Sequence, residues 1–224
     1  MTANHFIELI DVTKTYFQGS NPVVALDHLD LQVSRGEFLA ITGKSGCGKS
    51  TLINILGGLD TPDQGRVLID GEDLTQMDDR RLTLFRRNRI GIVFQFFNLL
   101  AILSLEENIL LPHLLKGGSD RAGNPMDHLL REMGLVERRN HKPHELSGGE
   151  LQRAAICRAM INNPEIILAD EPTGNLDSVS GKQVLEIFRR LKEDHGKTIL
   201  LVTHSQEGAA IADRILRMKD GKLY

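Results

Sequence analysis

The stretch "GKSGCGKST" (residues 43–51) concentrates glycines, lysines and a Ser-Thr pair between an apolar run and a segment with helical spacing. It matches the pattern G-x-x-x-x-G-K-[ST], in which Gly43, Gly48, Lys49 and Ser50 hold the fixed places. Glycines let backbone N–H groups turn toward phosphate oxygens, and a helix N-terminus adds a partial positive charge. The stretch therefore predicts a phosphate-binding loop between a strand and a helix, called the phosphate loop below.

Within the phosphate loop, the Lys49 side chain has the length to reach β- and γ-phosphates, and the Ser50 hydroxyl can bind Mg²⁺. The remaining predicted nucleotide-binding residues of the loop are Gly43, Lys44, Ser45, Gly46, Cys47, Gly48 and Thr51. Cys47 has no base or second cysteine beside it in the sequence, so we interpret it as a spacer rather than a nucleophile. A glycine-rich surface turn is the alternative interpretation, and the strand–loop–helix context argues against it.

Composition narrows the class of protein. The chain has 224 residues, of which 41% are hydrophobic and 25% charged, which fits one globular domain. A net charge of −3 offers no electrostatic basis for nucleic acid as the main partner, so we expect none. Only two cysteines are present, which favours a reduced, intracellular protein. The most apolar region, residues 90–115, is interrupted by polar residues and falls short of the roughly 18 apolar residues of a spanning helix.

Apolar patterns predict an α/β fold. "HLDLQV" (residues 28–33) alternates apolar and polar residues, as in a half-buried antiparallel strand, and "RVLID" (residues 66–70) is assigned to the same sheet. Continuous apolar runs indicate strands buried on both faces of a mostly parallel sheet. These runs are "EFLAIT" (37–42), "IGIVF" (90–94), "EIILAD" (165–170) and "TILLVT" (198–203). Residues 83–160 carry mainly helical spacing, which predicts an inserted helical subdomain.

A second functional cluster, "IILADEPTGNLD" (residues 166–177), ends a predicted buried strand with two carboxylates, where acidic side chains are otherwise unfavourable. Asp170 is positioned to hold Mg²⁺ directly or through water. Glu171 is the candidate to orient or deprotonate an attacking water. The alternative is that both residues cap the next helix around Pro172. The phosphate loop favours the catalytic interpretation, although a small kinase or a GTPase would share both features.

The stretch "LSGGELQRAAICRA" (residues 146–159) is a second glycine-rich helix start and decides between these classes. At this point the sequence resembles the ATP-binding cassette (ABC) family, whose signature is this Leu-Ser-Gly-Gly element. The motifs follow the family's order over nearly the whole chain. The resemblance implies a single ABC ATPase domain (1–224). Its P-loop NTPase core, with an N-terminal antiparallel β subdomain, would comprise residues 1–82 and 161–224, and its helical, signature-bearing subdomain residues 83–160.

The resemblance also implies a homodimer in the ATP-bound state, with ATP and Mg²⁺ bound between the copies. In the family, the signature of one subunit covers the γ-phosphate held by the phosphate loop of the other. Ser147, Gly148 and Gly149 would therefore bind nucleotide across the dimer. Asp177 in "GNLD" matches the loop that crosses the dimer interface.

Three further positions match family residues that contact the nucleotide or its metal. Gln95, after "GIVF", matches the glutamine that touches Mg²⁺ and links the core to the helical subdomain. His204, after "LLVT", matches the histidine that reaches the γ-phosphate. Tyr16 in "KTYFQG" matches the aromatic residue that stacks on adenine, with Phe17 as the alternative. The implied catalytic set is Lys49, Gln95, Glu171 and His204, and the implied metal set is Ser50, Gln95 and Asp170.

The signature departs from the commoner family pattern at Glu150, where glutamine is the more frequent residue. A carboxylate added near a triphosphate weakens closure of the dimer electrostatically unless a cation or an arginine offsets it. We therefore keep the signature assignment and expect Glu150 to affect its strength.

Three stretches resemble the sequences of the lipoprotein-release and macrolide-efflux group of bacterial ATPases: "DEPTGNLD", "GGLDTPDQGRVLIDGEDL" and "RRNRIGIVFQFFNLL". This implies an ATP-hydrolysing subunit on the cytoplasmic face of the membrane that drives an integral membrane permease in export, lipoprotein release or mechanotransmission. A cell-division ATPase that relays a signal and an uptake ATPase are alternatives. A soluble cassette of DNA repair or translation fits less well, because such proteins usually carry twin cassettes, coiled coils or zinc insertions.

Apolar residues directly after Gln95 form the predicted docking segment for the permease: Phe96, Phe97, Leu99 and Leu100. Aromatic side chains are enriched at the cores of protein interfaces, and this position beside Gln95 suits the coupling of hydrolysis to motion. The alternative is that these side chains pack inside the helical subdomain.

Overall fold

The computed structural model of the chain describes residues 5–118 and 125–224 and has an α/β architecture. Its strands are β1 (Ile7–Gln18), β2 (Asn21–Val33), β3 (Phe38–Thr42), β4 (Gln64–Ile69), β5 (Glu72–Asp73), β6 (Ile90–Val93), β7 (Ile166–Asp170), β8 (Thr198–Thr203), β9 (Arg214–Lys219) and β10 (Lys222–Leu223). Its α-helices are α1 (Lys49–Leu56), α2 (Asp79–Arg89), α3 (Leu105–Leu115), α4 (Met126–Glu132), α5 (Gly148–Met160), α6 (Ser178–Glu193) and α7 (Gln206–Ala210).

The antiparallel sheet has the strand order β2-β1-β4-β5. Along β2, Leu29, Leu31 and Val33 are buried while the residues between them are exposed, which confirms the alternation read from the sequence. The predicted strand around residues 66–70 is β4, and it pairs with β1 in this sheet, as expected. One face of the sheet thereby packs on the hydrophobic core that it shares with α1 and the six-stranded sheet.

The six-stranded sheet has the order β10-β9-β3-β8-β7-β6, and its neighbouring strands from β9 to β6 run parallel. All four continuous apolar runs lie in it, and every residue of β8 is buried. The expected mostly parallel sheet is therefore confirmed. Because β3, β8, β7 and β6 are parallel, their carboxyl ends meet at one edge, where loops from all four strands come together.

Helices α3, α4 and α5 pack together around a second apolar cluster. Met126, Leu129 and Leu130 of α4 are buried in it, and so are Ile156 and Cys157 of α5, because their helical spacing places them on inward faces. Strand β6 lies within residues 83–160 but pairs with β7 in the core sheet. The core sheet thus takes one strand from the range that the sequence assigned to the helical subdomain.

None of the helices in residues 5–118 and 125–224 combines the length and the apolar content that crossing a bilayer requires.

Phe188 on α6 tests the contribution of the core, because its side chain is fully buried against the sheet. We expect Phe188→Ala to lower the free energy of unfolding by about 3–5 kcal/mol, through lost apolar burial and the cavity left behind. Val179→Ala on the same helix removes an exposed apolar side chain and should change it by less than about 0.5 kcal/mol. Urea denaturation followed by circular dichroism measures both, and equal effects would contradict the assignment of Phe188 to the core.

Candidate active site

The phosphate loop connects the end of β3 at Thr42 to the first turn of α1. Gly48 precedes α1 with φ +107°, a left-handed conformation that favours glycine. A Cβ at Gly48 would lie 2.2 Å from the carbonyl oxygen of Ala25, and one at Gly43 would lie 2.4 Å from that of Met218. Strands β2 and β9 thus approach the loop so closely that only glycine fits at these two positions.

Lys49 is buried at the first position of α1, and its ammonium group lies across the phosphate loop. Its Nζ donates hydrogen bonds to the carbonyl oxygens of Gly43, at 2.9 Å, and Lys44, at 3.1 Å. It also lies 3.7 Å from the Glu171 Oε1 atom. The loop therefore presents a positive charge next to the N-terminus of a helix, an arrangement that attracts phosphate.

Asp170 ends β7 beside α1 and accepts a hydrogen bond from the Ser50 side chain. Burial raises the pKa of Asp170, the Ser50 hydrogen bond opposes this, Glu171 raises the pKa further, and Lys49 lowers it. A carboxylate held at a raised pKa is one that a cation would stabilise. Together with the Ser50 hydroxyl it supplies hard oxygen donors, which suit Mg²⁺ in a site completed by phosphate oxygens and water.

Glu171 follows Asp170 in a left-handed backbone conformation, with φ +47°. Its backbone N–H donates to the Val202 carbonyl at 2.9 Å, which anchors it to the neighbouring strand β8. The Glu171 Oε2 atom accepts a hydrogen bond from the backbone N–H of His204, at 3.1 Å, and lies 2.9 Å from the His204 Nδ1 atom. Left-handed non-glycine residues are uncommon and cluster at functional sites. The structure thus brings two of the four predicted catalytic residues, Glu171 and His204, into direct contact.

Gln95 follows β6, and its side chain contacts a residue that the sequence analysis did not assign. The Gln95 Nε2 atom donates to Asn175 Oδ1 at 3.4 Å, and Asn175 Nδ2 donates to the Gln95 carbonyl at 3.1 Å. Asn175 belongs to the quoted "GNLD" stretch, but nothing in the linear pattern shows that this loop meets the end of β6. The parallel pairing of β6 with β7 produces the contact.

A cavity of about 630 Å³ joins these groups. The predicted site residues that line it are Lys44, Ser45, Gly46, Gly48, Lys49, Ser50, Thr51, Gln95, Asp170, Glu171 and His204. Val23 and Ala25 of β2 complete its wall, and the sequence analysis did not select either of them. Gly43 and Cys47 line an adjacent cavity of about 1230 Å³, which the loop shares through Lys44, Ser45 and Gly46.

Tyr16 lies on β1 next to the phosphate loop. Its hydroxyl donates to Asp60 Oδ2 at 2.7 Å, and a hydrogen bond joins its side chain to that of Thr51. Burial and the Asp60 hydrogen bond raise the pKa of Tyr16. Tyr16 is 38% exposed and Phe17 is 72% exposed, so both rings are accessible, but only Tyr16 is tethered to the loop by hydrogen bonds.

The signature residues lie elsewhere on the chain. Ser147 caps α5, and Gly148 and Gly149 form the first turn of that helix. None of the three is among the described residues that line the cavity beside Lys49. Asp177 is not among them either, and its carboxylate accepts hydrogen bonds from the backbone N–H groups of Val179 and Ser180, both at 3.0 Å.

Glu150 completes a capping box with Ser147. One carboxylate oxygen accepts from both the backbone N–H and the hydroxyl of Ser147, each at 2.8 Å. The other accepts from Arg138 Nε at 2.7 Å. The pKa of Glu150 is lowered from 4.5 to about 2. The hydrogen bond from Arg138 is the largest cause, and the hydrogen bonds from Ser147 add to it. Arg138 is thus an arginine that can offset the charge of Glu150, although no sequence pattern had identified it.

Comparison with known proteins places this site in a family. A sequence model described as ABC transporter matches residues 26–174, which include the phosphate loop, Glu171 and the signature. The chain belongs to the ABC transporter family. The matched range covers more than half of the chain.

Relatives of this ABC cassette include full-length matches and larger proteins. An uncharacterized ABC transporter ATP-binding protein of Methanocaldococcus jannaschii, MJ0796, is 46% identical over 224 residues, covering 97% of this chain and 94% of that protein. The macrolide export ATP-binding/permease protein MacB of Syntrophobacter fumaroxidans is 48% identical over 218 residues. That match covers 96% of this chain but 30% of MacB, so the cassette spans less than a third of the larger relative.

A solved structure agrees with the fold of the cassette. It is a dimer of the ATP-binding cassette MJ0796 in a post-hydrolysis state, bound to ADP and Pi. It matches with a TM-score of 0.90 and 43% identity, over 97% of this chain and 96% of that chain. The protein is therefore an ABC ATPase cassette, and its structural neighbour is dimeric.

The lowered pKa of Glu150 predicts a pH dependence of stability. Because the folded pKa of about 2 lies below the unfolded value of 4.5, the stabilisation by Glu150 is present above pH 4.5 and is lost as pH falls toward 2. Glu150→Gln keeps the capping geometry but does not titrate. We expect the difference in free energy of unfolding between the wild type and Glu150→Gln to shrink over this pH range. Urea denaturation from neutral pH downward measures it, and a difference independent of pH would refute the prediction.

Proposed function

We propose that this cassette is the ATP-hydrolysing subunit of a membrane transporter, that it dimerises on ATP, and that it drives an integral membrane permease. One observation carries the first two parts. The cavity is lined by most of the phosphate loop and by Asp170 and Glu171 of one chain, while Ser147 of the signature is not among the described residues that line it. A site that needs both sets of groups is completed by a second copy, and the dimeric MJ0796 structure supports this arrangement.

We assign roles in the proposed ATPase reaction to the phosphate loop and to the polar residues around it. The backbone N–H groups of the loop and the Lys49 ammonium group bind the β- and γ-phosphates. Asp170, Ser50 and Gln95 would hold Mg²⁺. When bound, Mg²⁺ offsets the negative charge of the phosphate oxygens. Tyr16 stacks on adenine beside the loop, a role that its tether to Thr51 and Asp60 supports.

Glu171 is the proposed general base. It orients a water molecule for attack on the γ-phosphorus and accepts its proton, while the bond from this phosphorus to the β–γ bridging oxygen breaks and ADP leaves. The contact with His204 fixes one carboxylate oxygen, while the other lies toward Lys49. His204 remains largely exposed, which leaves it able to contact the γ-phosphate at the mouth of the cavity. Ser147, Gly148 and Gly149 act on the nucleotide of the other subunit, and Asp177 lies at the interface between them.

The permease partner is proposed from the relatives and from an exposed apolar surface. MacB carries ATP-binding and permease functions under one name, and it favours export among the possible roles of this cassette. Within the predicted docking segment, Phe96 is 71% exposed and Leu100 is also exposed, whereas Leu99 packs against the helical core. Ile102, which the sequence analysis did not select, is 81% exposed nearby.

The segment also has a defined conformation. Phe97 and Asn98 both have positive φ, and the Arg158 guanidinium donates hydrogen bonds to their carbonyl oxygens. These bonds connect the segment to α5, the helix that begins at the signature. We propose that Phe96, Leu100 and Ile102 dock a cytoplasmic helix of the permease at the cytoplasmic face of the membrane.

Glu171→Gln tests the catalytic assignment. The amide keeps the size of the side chain but cannot accept a proton, so we expect ATPase activity to fall at least about a hundredfold. ATP binding should persist, and the variant should accumulate as an ATP-bound dimer in size-exclusion chromatography. Glu186→Gln on the exposed face of α6 serves as the matched control and should retain wild-type activity. Normal turnover by Glu171→Gln would rule out Glu171 as the base.

Phe96→Ala and Phe97→Ala test the docking surface separately. We expect Phe96→Ala to reduce the fraction of cassette retained on washed membranes that contain the permease, because it removes an exposed aromatic anchor. Phe97→Ala should act in the same direction but less strongly, since Phe97 is only partly exposed. The ATPase activity of the isolated cassette should stay unchanged in both. Val24→Ala, an exposed apolar position on β2, is the control. Unaltered membrane retention of both phenylalanine variants would contradict the docking proposal.

A further inference from the structure

The hydroxyl group of Ser147 is committed to an anion in this structure. It donates a hydrogen bond to the Glu150 Oε2 atom at 2.8 Å, and its oxygen accepts the backbone N–H of Glu150 at 3.3 Å. In the dimer proposed above, the same hydroxyl faces the γ-phosphate bound by the other subunit. To donate to that phosphate, its hydrogen has to leave the Glu150 carboxylate, so the two anions compete for one donor.

Arg138 bonds to the opposite side of the same carboxylate. It ends a short 3₁₀ turn, Val136–Arg138, that lies between α4 and α5. Its Nε donates to Glu150 Oε1 at 2.7 Å, while Oε2 serves Ser147. Charged donors make shorter and stronger hydrogen bonds than neutral ones. Arg138 therefore withdraws negative charge from the carboxylate that holds the serine and balances the charge that Glu150 adds to this helix start.

We propose that Arg138 is a positioning residue for the signature serine, which neutralises Glu150 so that the Ser147 hydroxyl can turn to the γ-phosphate across the dimer. This inference rests on the proposed function, because it requires that the signature meets nucleotide in trans. Without Arg138, the carboxylate retains the serine hydrogen more strongly. It also repels the triphosphate of the other subunit.

A purely structural role for Arg138 predicts something different. If the arginine only fastens the 3₁₀ turn to α5, its loss weakens ATP-dependent dimerisation equally whether residue 150 is charged or neutral. If it acts through charge, its loss is harmless once the charge on residue 150 is removed. Glutamine at position 150 keeps a side-chain acceptor for the Ser147 backbone N–H, since capping boxes use either residue. The pair of substitutions thus separates charge from helix capping.

The experiment measures ATP-dependent dimerisation in the Glu171→Gln background, by analytical ultracentrifugation at a series of protein concentrations. We expect Arg138→Ala to raise the dissociation constant of the ATP-bound dimer about fivefold, the size of a surface charge interaction, or more. Glu150→Gln alone should dimerise as tightly as the parent or more tightly. Adding Glu150→Gln to Arg138→Ala should restore the parent value, and Arg138→Lys should lie close to it.

Arg189→Ala is the matched control, since it removes an ion-paired surface arginine whose partners Glu186 and Glu193 lie on its own helix, α6. It should leave the dissociation constant unchanged. The defect of Arg138→Ala should also shrink relative to parent and control in about 1 M salt, where the screening length falls to about 3 Å. The steady-state ATPase rate of the same variants without the Glu171 substitution gives a second readout, with the same order expected.

The outcomes separate the inference from the function on which it rests. If the parent dimerises with ATP but Arg138→Ala matches it, or if Glu150→Gln fails to rescue Arg138→Ala, the positioning role of Arg138 is wrong and the proposed function stands. If the Glu171→Gln parent does not dimerise with ATP and the wild-type chain does not hydrolyse ATP, the proposed function is wrong and the inference falls with it. Rescue by Glu150→Gln with loss of the defect at high salt supports the inference.

Discussion

The parallel pairing of β3, β8, β7 and β6 is the constraint on which the rest of the molecule depends. Parallel strands bring their carboxyl ends to one edge of the sheet, so the phosphate loop after β3, His204 after β8, Glu171 after β7 and Gln95 after β6 share one cavity. These groups are far apart in the sequence, and the contacts among them, such as that between Glu171 and His204, form because the strands are neighbours. The sheet in turn is held by strands that are buried on both faces between helices and the antiparallel sheet.

Charge within the site is arranged around this edge. Burial raises the pKa of Asp170, and the neighbouring Glu171 carboxylate adds to that effect, so two acids share a small region with the Lys49 ammonium group. Two carboxylates beside one ammonium group leave an excess negative charge, which is unfavourable for a purely structural ion pair. The same arrangement suits a site that binds a metal–phosphate complex. The left-handed backbone at Glu171 is consistent with this, because strained residues persist where the surrounding structure specifies them.

The charges at the signature are arranged differently from those around the cavity. Its helix start carries a carboxylate where phosphate is expected to approach, and the structure offsets that carboxylate with Arg138 from a separate turn. The capping box stabilises the start of α5 while it occupies the Ser147 hydroxyl. Local stability and the proposed contact with nucleotide therefore use the same atoms. Arg138 makes both roles possible, because its pairing with Glu150 weakens the hydrogen bond between this carboxylate and the Ser147 hydroxyl without removing the cap of α5.

The sequence by itself determined the phosphate loop, the acidic strand end, the buried strands and the α/β class. Each of these depends on local chemistry or on short periodic patterns, such as the glycines at 43 and 48 or the apolar run of β8. Tertiary structure alone decided the bridge from Asn175 to Gln95, the tether of Tyr16 to Asp60, the pairing of Arg138 with Glu150, and the place of β6 in the core sheet. These contacts join segments that no pattern along the chain relates, because they depend on which strands are neighbours and where the connecting turns lie.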